Sequence, residues 1–590
     1  MLGNIKILNL LMKHHNFAAF KDFAAFKPEF FKTIKDYDRQ KFTADLMSGL
    51  IVGIVALPLA IAFGIASGVT PEKGIITAII AGFIISFLGG SKVQIGGPTG
   101  AFIVIVYGIV QQYGESGLII ATIMAGVMLL LMGFLKLGTV IKFIPYPIIV
   151  GFTAGIAVTI FSTQIKDFFG LTIDSVPGDF IGKWNAYFHS FKTVKLYELG
   201  VGTASLLIII YGRKIFKKIP SSLIAIITAA IAVYFCNRYN WFGVPVETIG
   251  SRYTIDPSIP TPETPNIDFN AIKMLLPAAF SIAMLGAIES LLSATVADGV
   301  IGEKHDSNTE LIAQGAANII TPLFGGIPAT GAIARTMTNI NNGGRSPISG
   351  IVHAGVLLVI LLFLGGLTKF IPMATLAAIL IVVSYNMSEW RTFKSLLKNP
   401  FYDVLVLLIT FFLTVIFDLT IAIEVGLLLA AFLFMKRVSE TSTISVIRDE
   451  YNINEDIDIK SNAEKIILPK GVEMYEIEGP FFFGIANKLE EQMNLVEEKP
   501  KIRIIRMRKV PFIDSTGLHN LRSLYRLSQN SKIFIILSGI NENVNKVLAD
   551  SGFAEQIGKE NICSHIDIAL KRAEEVLEEL DKKQKLRRNE

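Results

Sequence analysis

Cysteine is nearly missing from this chain. Cys236 and Cys563 are its two copies, which excludes a disulfide framework and any cysteine-held metal cluster. Charge is scarce too: 18% of the 590 residues are charged against 51% hydrophobic, a balance too apolar for a string of soluble domains. No nucleophile–base set and no metal-ligating constellation stands out, so the chain is expected to be neither an enzyme nor a metal or cofactor protein. The net charge of +5 is spread over loops and the C-terminal part. Basic charge beside membrane spans reports orientation rather than nucleic-acid binding. A secretory leader is not expected either, because Ile5 to Met12 is short and a basic segment without a cleavage-like site follows.

What is present is apolar sequence in long repeated stretches, many near the roughly 20 residues that cross a bilayer. Spans are expected at about 44–68, 74–88, 98–113, 117–135, 140–161, 199–212 and 221–236. After a polar stretch at 238–268, more are expected at 272–300, 310–322, 329–341, 347–366, 370–385, 401–417 and 419–435. The expected architecture is a polytopic helical membrane protein of about fourteen segments. Residues 1–43 form a basic arm that lies in the cytoplasm by the positive-inside rule, partly against the lipid surface. Residues 44–436 form the membrane domain, 437–469 a linker, 470–578 a soluble domain and 579–590 a charged tail.

Repetition divides the membrane part. Lys142-Phe-Ile-Pro145 recurs as Lys369-Phe-Ile-Pro372, an offset of 370 − 143 = 227, and Gly96-Gly-Pro-Thr-Gly-Ala-Phe102 recurs in reduced form within Phe324-Gly-Gly-Ile-Pro-Ala-Thr-Gly-Ala-Ile-Ala-Arg-Thr336, with threonines 330 − 99 = 231 apart. Seven segments per half, an odd number, would give the second half (about 270–436) the opposite orientation to the first (about 44–237). That is an inverted repeat, a common build of secondary transporters. Basic loops at Arg213-Lys214-Ile-Phe-Lys217-Lys218, Lys304, Arg345, Arg391 to Lys398 and Lys436-Arg437 all fall on the cytoplasmic side of this topology.

The glycine–proline breaks carry the candidate chemistry. Broken backbone is costly where no water can satisfy it, so each break needs a reason. Proline suits a first helical turn, threonine can cap, and glycine admits close approach. Each break therefore reads as the start of a half-helix, and two such ends facing each other make an anion site. Two kinked helices packed through small residues are the plainer alternative. Arg335, about a turn past the second break, reads as a counter-charge for the substrate, or else as a snorkelling residue. Glu289, deep in Leu285-Gly-Ala-Ile-Glu-Ser-Leu-Leu-Ser293, reads as a proton carrier with Ser293 beside it, or as an internal partner of Arg335. Asp298, Asp418 and Glu424 fall nearer span ends and read as loop or interface charges.

After residue 470, β-branched runs at Glu473 to Ile477, Ile502 to Arg506 and Ile533 to Leu537 alternate with helical patterns near 487–497, 517–529 and 541–551. This predicts a small α/β domain. Val510-Pro-Phe-Ile-Asp-Ser-Thr-Gly-Leu518 joins a strand to a helix, with Asp514 or Ser515 as the cap. Phosphorylation of Ser515 or Thr516 there would add negative charge at a helix start.

Together these residues resemble the SulP anion transporters, or sulfate permeases, with a C-terminal STAS domain. Carrying the resemblance are Leu57-Pro-Leu-Ala-Ile-Ala-Phe63, Gly96 to Phe102, Ala287-Ile-Glu-Ser-Leu-Leu-Ser293, Phe324 to Arg335 and Ile513-Asp-Ser-Thr-Gly517, over about residues 40–575. It implies two inverted seven-segment repeats. A core (segments 1–4 and 8–11) would move in an elevator-like manner against a gate, in a homodimer. It also places a small anion between the starts of segments 3 and 10: at Thr99, Gly100, Ala101 and Phe102, at Ala329, Thr330, Gly331 and Ala332, and near Phe63, with Arg335 matching the family's basic residue. Family substrates are sulfate, bicarbonate, chloride, oxalate or C4-dicarboxylates. The run Phe280 to Leu292 and Ile333-Ala-Arg335 look most like the bacterial dicarboxylic acid branch. Sodium-coupled members have aspartate where this chain has Glu289, and a hydroxyl where it has Ile333, which favours H+ as the coupling ion. Two other classes remain: a sensor whose STAS domain recruits a cytosolic protein, and an uncoupled anion channel.

Overall fold

The computed structural model describes residues 26–139, 144–173, 176–215, 220–254, 258, 260–262, 269–417, 419–447, 450–451, 466–482 and 500–589. Residues 1–25 of the expected arm, Lys142 and Phe143 of the repeated motif, Lys217 and Lys218, Asp418, and the helix expected near 487–497 lie outside them. The chain forms two compact units, Met1–Ala430 and Ala431–Glu590.

The first unit is helical, and its last helix, Leu419–Thr441, runs on past Ala430 into the second. Its elements are α1 (Arg39–Ala66), α2 (Pro71–Leu88), strand β1 (Gly96–Gly97), α3 (Phe102–Phe134), α4 (Tyr146–Phe169), α5 (Phe180–Ser190), α6 (Leu196–Ile215) and α7 (Ser221–Arg238). The second half follows as α8 (Phe269–Ile301), α9 (Ser307–Ile320), β2 (Thr330–Gly331), α10 (Ile333–Asn341), α11 (Pro347–Leu364), α12 (Met373–Met387), α13 (Phe401–Ile416) and α14 (Leu419–Thr441). Among the described residues, eight helices are long and apolar enough to cross a membrane. Helix α3 holds two spans, because Gly114 turns the chain with φ 68° and ψ −173°, a conformation open to glycine. With α3 counted twice, α1–α4 and α6–α14 supply the fourteen segments expected.

The helices pack in two groups. Helices α1, α2 and α3 pack with α8, α9, α10 and α11, while α4 and α6 pack with α12, α4 with α13, and α7 with α6. Small residues set the spacing: a Cβ on Gly126 of α3 would lie 2.8 Å from the Gly315 carbonyl of α9, and one on Gly315 would lie 2.7 Å from the Gly126 carbonyl. The described part of the repeated motif plays one role twice, since Pro145 and Pro372 directly precede α4 and α12 in extended conformation, and those two helices pack together.

The second unit is a five-stranded sheet in the order β3 (Thr443–Ile447), β4 (Val472–Glu478), β5 (Ile502–Lys509), β6 (Phe534–Ser538), β7 (Ile562–Cys563). Only β3 runs antiparallel to its neighbour. Helices α15 (Ser515–Asn530), α16 (Glu542–Asp550) and α17 (Phe553–Ile557) cover one face and α18 (Ile566–Asn589) the other. Two expectations change here. The segment expected as a linker supplies the edge strand β3, and the segment expected as a separate charged tail continues the last helix to Asn589. Asp514 is the cap of α15, accepting from the Gly517 N–H, and Ser515 and Thr516 are exposed on its first turn.

Candidate functional site

The two sequence breaks meet. β1 and β2 pair antiparallel, Gly96 opposite Gly331 and Gly97 opposite Thr330. Each break thereby satisfies backbone groups that apolar surroundings would leave stranded. Side chains take up the groups around the ladder. The Ala332 N–H donates to the Ile95 carbonyl at 2.9 Å and the Ile95 N–H to Thr336 Oγ1 at 3.1 Å. Asn318 accepts from the Ala329 N–H at 2.9 Å and donates to its carbonyl at 2.8 Å, and the Ile327 N–H donates to Thr77 Oγ1 at 2.8 Å.

Because the ladder uses these residues, the helices begin later than the prolines suggested. Helix α3 starts at Phe102 and α10 at Ile333, with Ala101 and Ala332 at the N-cap positions and no side-chain cap. Thr99 and Thr330 therefore do not cap. Both reach α8 instead: Thr99 Oγ1 donates to Glu289 Oε2 at 2.9 Å, and Thr330 Oγ1 to the Gly286 carbonyl at 2.9 Å. At α3 the Phe102 and Ile103 N–H groups turn back to the Thr99 and Gly100 carbonyls at 3.3 and 3.1 Å, so what both starts offer an anion is the positive end of a helix dipole with no side-chain cap across it.

Arg335, 3% exposed, braces the opposite break, donating from Nη1 to the Gly96 carbonyl at 3.4 Å and from Nη2 to the Pro98 carbonyl. It forms no ion pair with Glu289; among the described residues its partners are backbone carbonyls. Its charge is thus left to the crossing. Glu289 is partly buried and holds the same break, the one before α3, through Thr99.

The remaining candidates divide by place. A Cβ on Gly100 would lie 3.7 Å from Phe63, 3.6 Å from Ile160 of α4 and 3.5 Å from Met387 of α12, so the start of α3 faces helices of the other packing group. Phe102 is buried, with its ring near Gly286 of α8, and Ser293 Oγ donates to Thr336 Oγ1 at 3.3 Å. Ile333 is exposed. Asp514, Ser515 and Thr516 belong to the second unit. Sequence reasoning missed the uncharged polar residues that hold the crossing, Thr77, Gln94 and Asn318. It also missed His353 on α11, fully buried with neither ring nitrogen hydrogen-bonded among the described residues. Only their polarity within apolar spans marked them.

Gly331→Ala tests the ladder. A Cβ there would overlap the Gln94 amide, and overpacking costs about 1–3 kcal/mol. Anion uptake into proteoliposomes should fall about fivefold to about 150-fold at equal incorporated protein, by the same free-energy scale.

Helical segments in two groups, with paired breaks, uncapped helix starts and a buried arginine, define a membrane transporter fold with a candidate anion site. The profile of the Sulfate permease family matches residues 42–410, and that of the STAS domain residues 466–569. The chain belongs to the sulfate permease family. It is 43% identical over 540 residues to YvdB of Bacillus subtilis strain 168, named as a candidate sulfate transporter, covering 90% of this chain and 98% of that one. It is 32% identical over 463 residues to the bicarbonate transporter BicA of Picosynechococcus, covering 76% and 80%. Among solved structures, murine Solute Carrier 26 family member A9, an anion transporter in the inward-facing state, shares the fold with a TM-score of 0.84 at 19% identity, covering 97% of this chain and 98% of that one. The transmembrane domain of a cyanobacterial BicA matches at 0.58 and 30% identity, covering 67% and 98%.

Proposed function

We infer that this protein is a secondary active transporter that takes up a small anion together with a proton. The observation carrying this reading is the crossing itself: two helix starts without side-chain caps joined by a backbone ladder, with the Arg335 guanidinium and the Thr99–Glu289 hydrogen bond both at the break before α3. The anion binds at the starts of α3 and α10, at Thr99 to Phe102 and Ala329 to Ala332, with Phe63 beside it. Glu289 takes the proton, since it is the carboxylate tied directly to one helix start. Transport follows an elevator-like movement of the group that holds the crossing (α1–α3, α8–α11) against the other group, in a homodimer.

Relatives named for sulfate and for bicarbonate support an inorganic oxyanion as substrate. A C4-dicarboxylate, favoured by the runs at Phe280 to Leu292 and Ile333 to Arg335, is the second choice. Basic loops at Lys304, Arg345 and Arg391 to Lys398 support cytoplasmic N- and C-termini in an inner membrane. Uptake of labelled sulfate, bicarbonate, succinate and fumarate into proteoliposomes, with and without an inward pH gradient, tests all of this. Gradient-stimulated uptake of one of these anions is expected; uptake of none of them would remove the transport reading.

A regulatory role of the STAS unit rests on Ser515 and Thr516, exposed at the start of α15. A phosphate there would meet the positive end of the helix dipole and alter recruitment of a cytosolic partner.

A further inference from the structure

A cavity of about 210 Å³ lies beside the crossing without including it. Its walls come from the ends of α1 and α4, from α3, α5 and α12, and from the loop before α8, with Ala62, Tyr107, Gln164, Lys183, Tyr187 and Arg252 among them. Ala62 directly precedes Phe63, and Tyr107 lies about one and a half turns along α3 from Phe102. The cavity is therefore a neighbour of the helix starts. It is also bounded by helices of both packing groups, α1 and α3 from one, α4 and α12 from the other. In the orientation proposed above it opens on the outer side.

Its charges are unbalanced. Lys166, Lys183 and Arg252 line it against a single carboxylate, Asp167. Two of the cations are engaged: Arg252 with Asp167 at 2.8 Å and with Glu247, and Lys166 with the Ile173 carbonyl at 2.7 Å. Lys183 is not. It is 2% exposed, and among the described residues its ammonium has no hydrogen bond or ion pair, only the face of Tyr107 at 5.6 Å. Asp179, four residues before it on the chain, attracts it through its charge but makes no ion-pair contact with it, and its Oδ2 caps α5 by accepting from the Gly182 N–H at 2.6 Å. One turn further along α5, Tyr187 is 3% exposed and its hydroxyl has no hydrogen-bond partner among the described residues. A buried ammonium with no hydrogen-bond or ion-pair partner among the described residues is strongly disfavoured, and here it stands beside an unsatisfied hydroxyl on the same wall of one cavity.

We propose that this cavity is a second anion subsite, in which the Lys183 ammonium and the Tyr187 hydroxyl hold a small oxyanion on its way to the crossing. The proposal rests on the transport reading of the helix starts. Positive charge with low-dielectric walls concentrates anions at the mouth of a path, so the subsite acts on capture more than on turnover.

The test uses the full-length protein and sodium sulfate. Trp184, next to Lys183, donates to Ser162 Oγ at 3.1 Å and stacks edge-on with Tyr187, so its fluorescence reports on this wall. In a Trp241→Phe, Trp390→Phe background, sulfate should change Trp184 emission saturably. Lys183→Met should abolish that change, Lys183→Arg should keep it, and Arg335→Ala should leave it in place. In proteoliposomes, Lys183→Met should raise KM for the transported anion about tenfold with maximal rate within about twofold, and Tyr187→Phe should raise KM about threefold. Removing an unpaired buried charge should leave the melting temperature of Lys183→Met unchanged or higher, so loss of folding would itself count against the proposal. An emission change that survives Lys183→Met, or an unaltered KM, overturns the subsite. Normal transport by Arg335→Ala overturns the reading of the crossing instead, and the two failures are told apart.

Discussion

Glu289→Gln abolishes the response of uptake to a pH gradient while leaving anion exchange intact. Glutamine keeps the shape of the side chain and an acceptor for Thr99 Oγ1, which now stands 2.9 Å from Glu289 Oε2, so the break before α3 stays in place. What is lost is the ability to alternate between a charged and a neutral form. A difference of one pH unit across the membrane is worth about 1.4 kcal/mol per proton, or a tenfold concentration ratio. With one proton coupled, native accumulation should rise up to about tenfold per unit of inward gradient, whereas the variant should stop at equilibrium with or without it. The measurement is steady-state accumulation of labelled anion at several imposed gradients, alongside counterflow at equal pH. A variant that still accumulates in proportion to the gradient would take the proton away from Glu289.

The second large effect concerns Arg335. Arg335→Ala strands the Gly96 and Pro98 carbonyls and removes a positive charge that among the described residues faces no carboxylate. Each stranded buried group costs about 1–3 kcal/mol, so uptake should fall on the order of a hundredfold, the equivalent of about 2.7 kcal/mol. Arg335→Lys divides the two contributions. Lysine retains the charge but not the planar fork that reaches two carbonyls at once. Its KM for the anion should stay within about threefold of native while turnover falls about tenfold. If the charge acts only as a brace, lysine will lose affinity and turnover alike. Arg335→Ala retaining a tenth or more of native uptake would remove the residue from the mechanism.

Both predictions use residues singled out from sequence, yet their contacts came from the fold. A charge inside an apolar span is conspicuous, so Glu289 and Arg335 are legible one at a time. Their partners are not. Pairing Arg335 with Glu289 was a reasonable alternative on sequence, but in the fold Glu289 turns to Thr99 and Arg335 to the carbonyls of a break more than two hundred residues away. The threonines failed as caps for a related reason: once β1 and β2 pair, the residues that could have opened a helical turn are held in extended ladder or reach toward α8. Lys183 passed unnoticed because a lysine in a loop-like polar stretch looks solvated, and only the packing of α5 buries it.

The sequence by itself determined the number and order of the helical segments, the repeat, the two breaks and the α/β character of the C-terminal unit. These follow from local apolar length, from glycine and proline chemistry, and from strand and helix periodicity, all of which are written in neighbouring residues. Tertiary structure decided what the breaks do to each other. The antiparallel meeting of Gly96–Gly97 with Thr330–Gly331, the amide of Asn318 closing around Ala329, the burial of His353 without a partner and the Lys183 cavity all depend on which distant helices pack together. Hydrogen bonds between residues remote in the chain leave no period to read, and they exist only once packing has removed the water that would otherwise satisfy those groups.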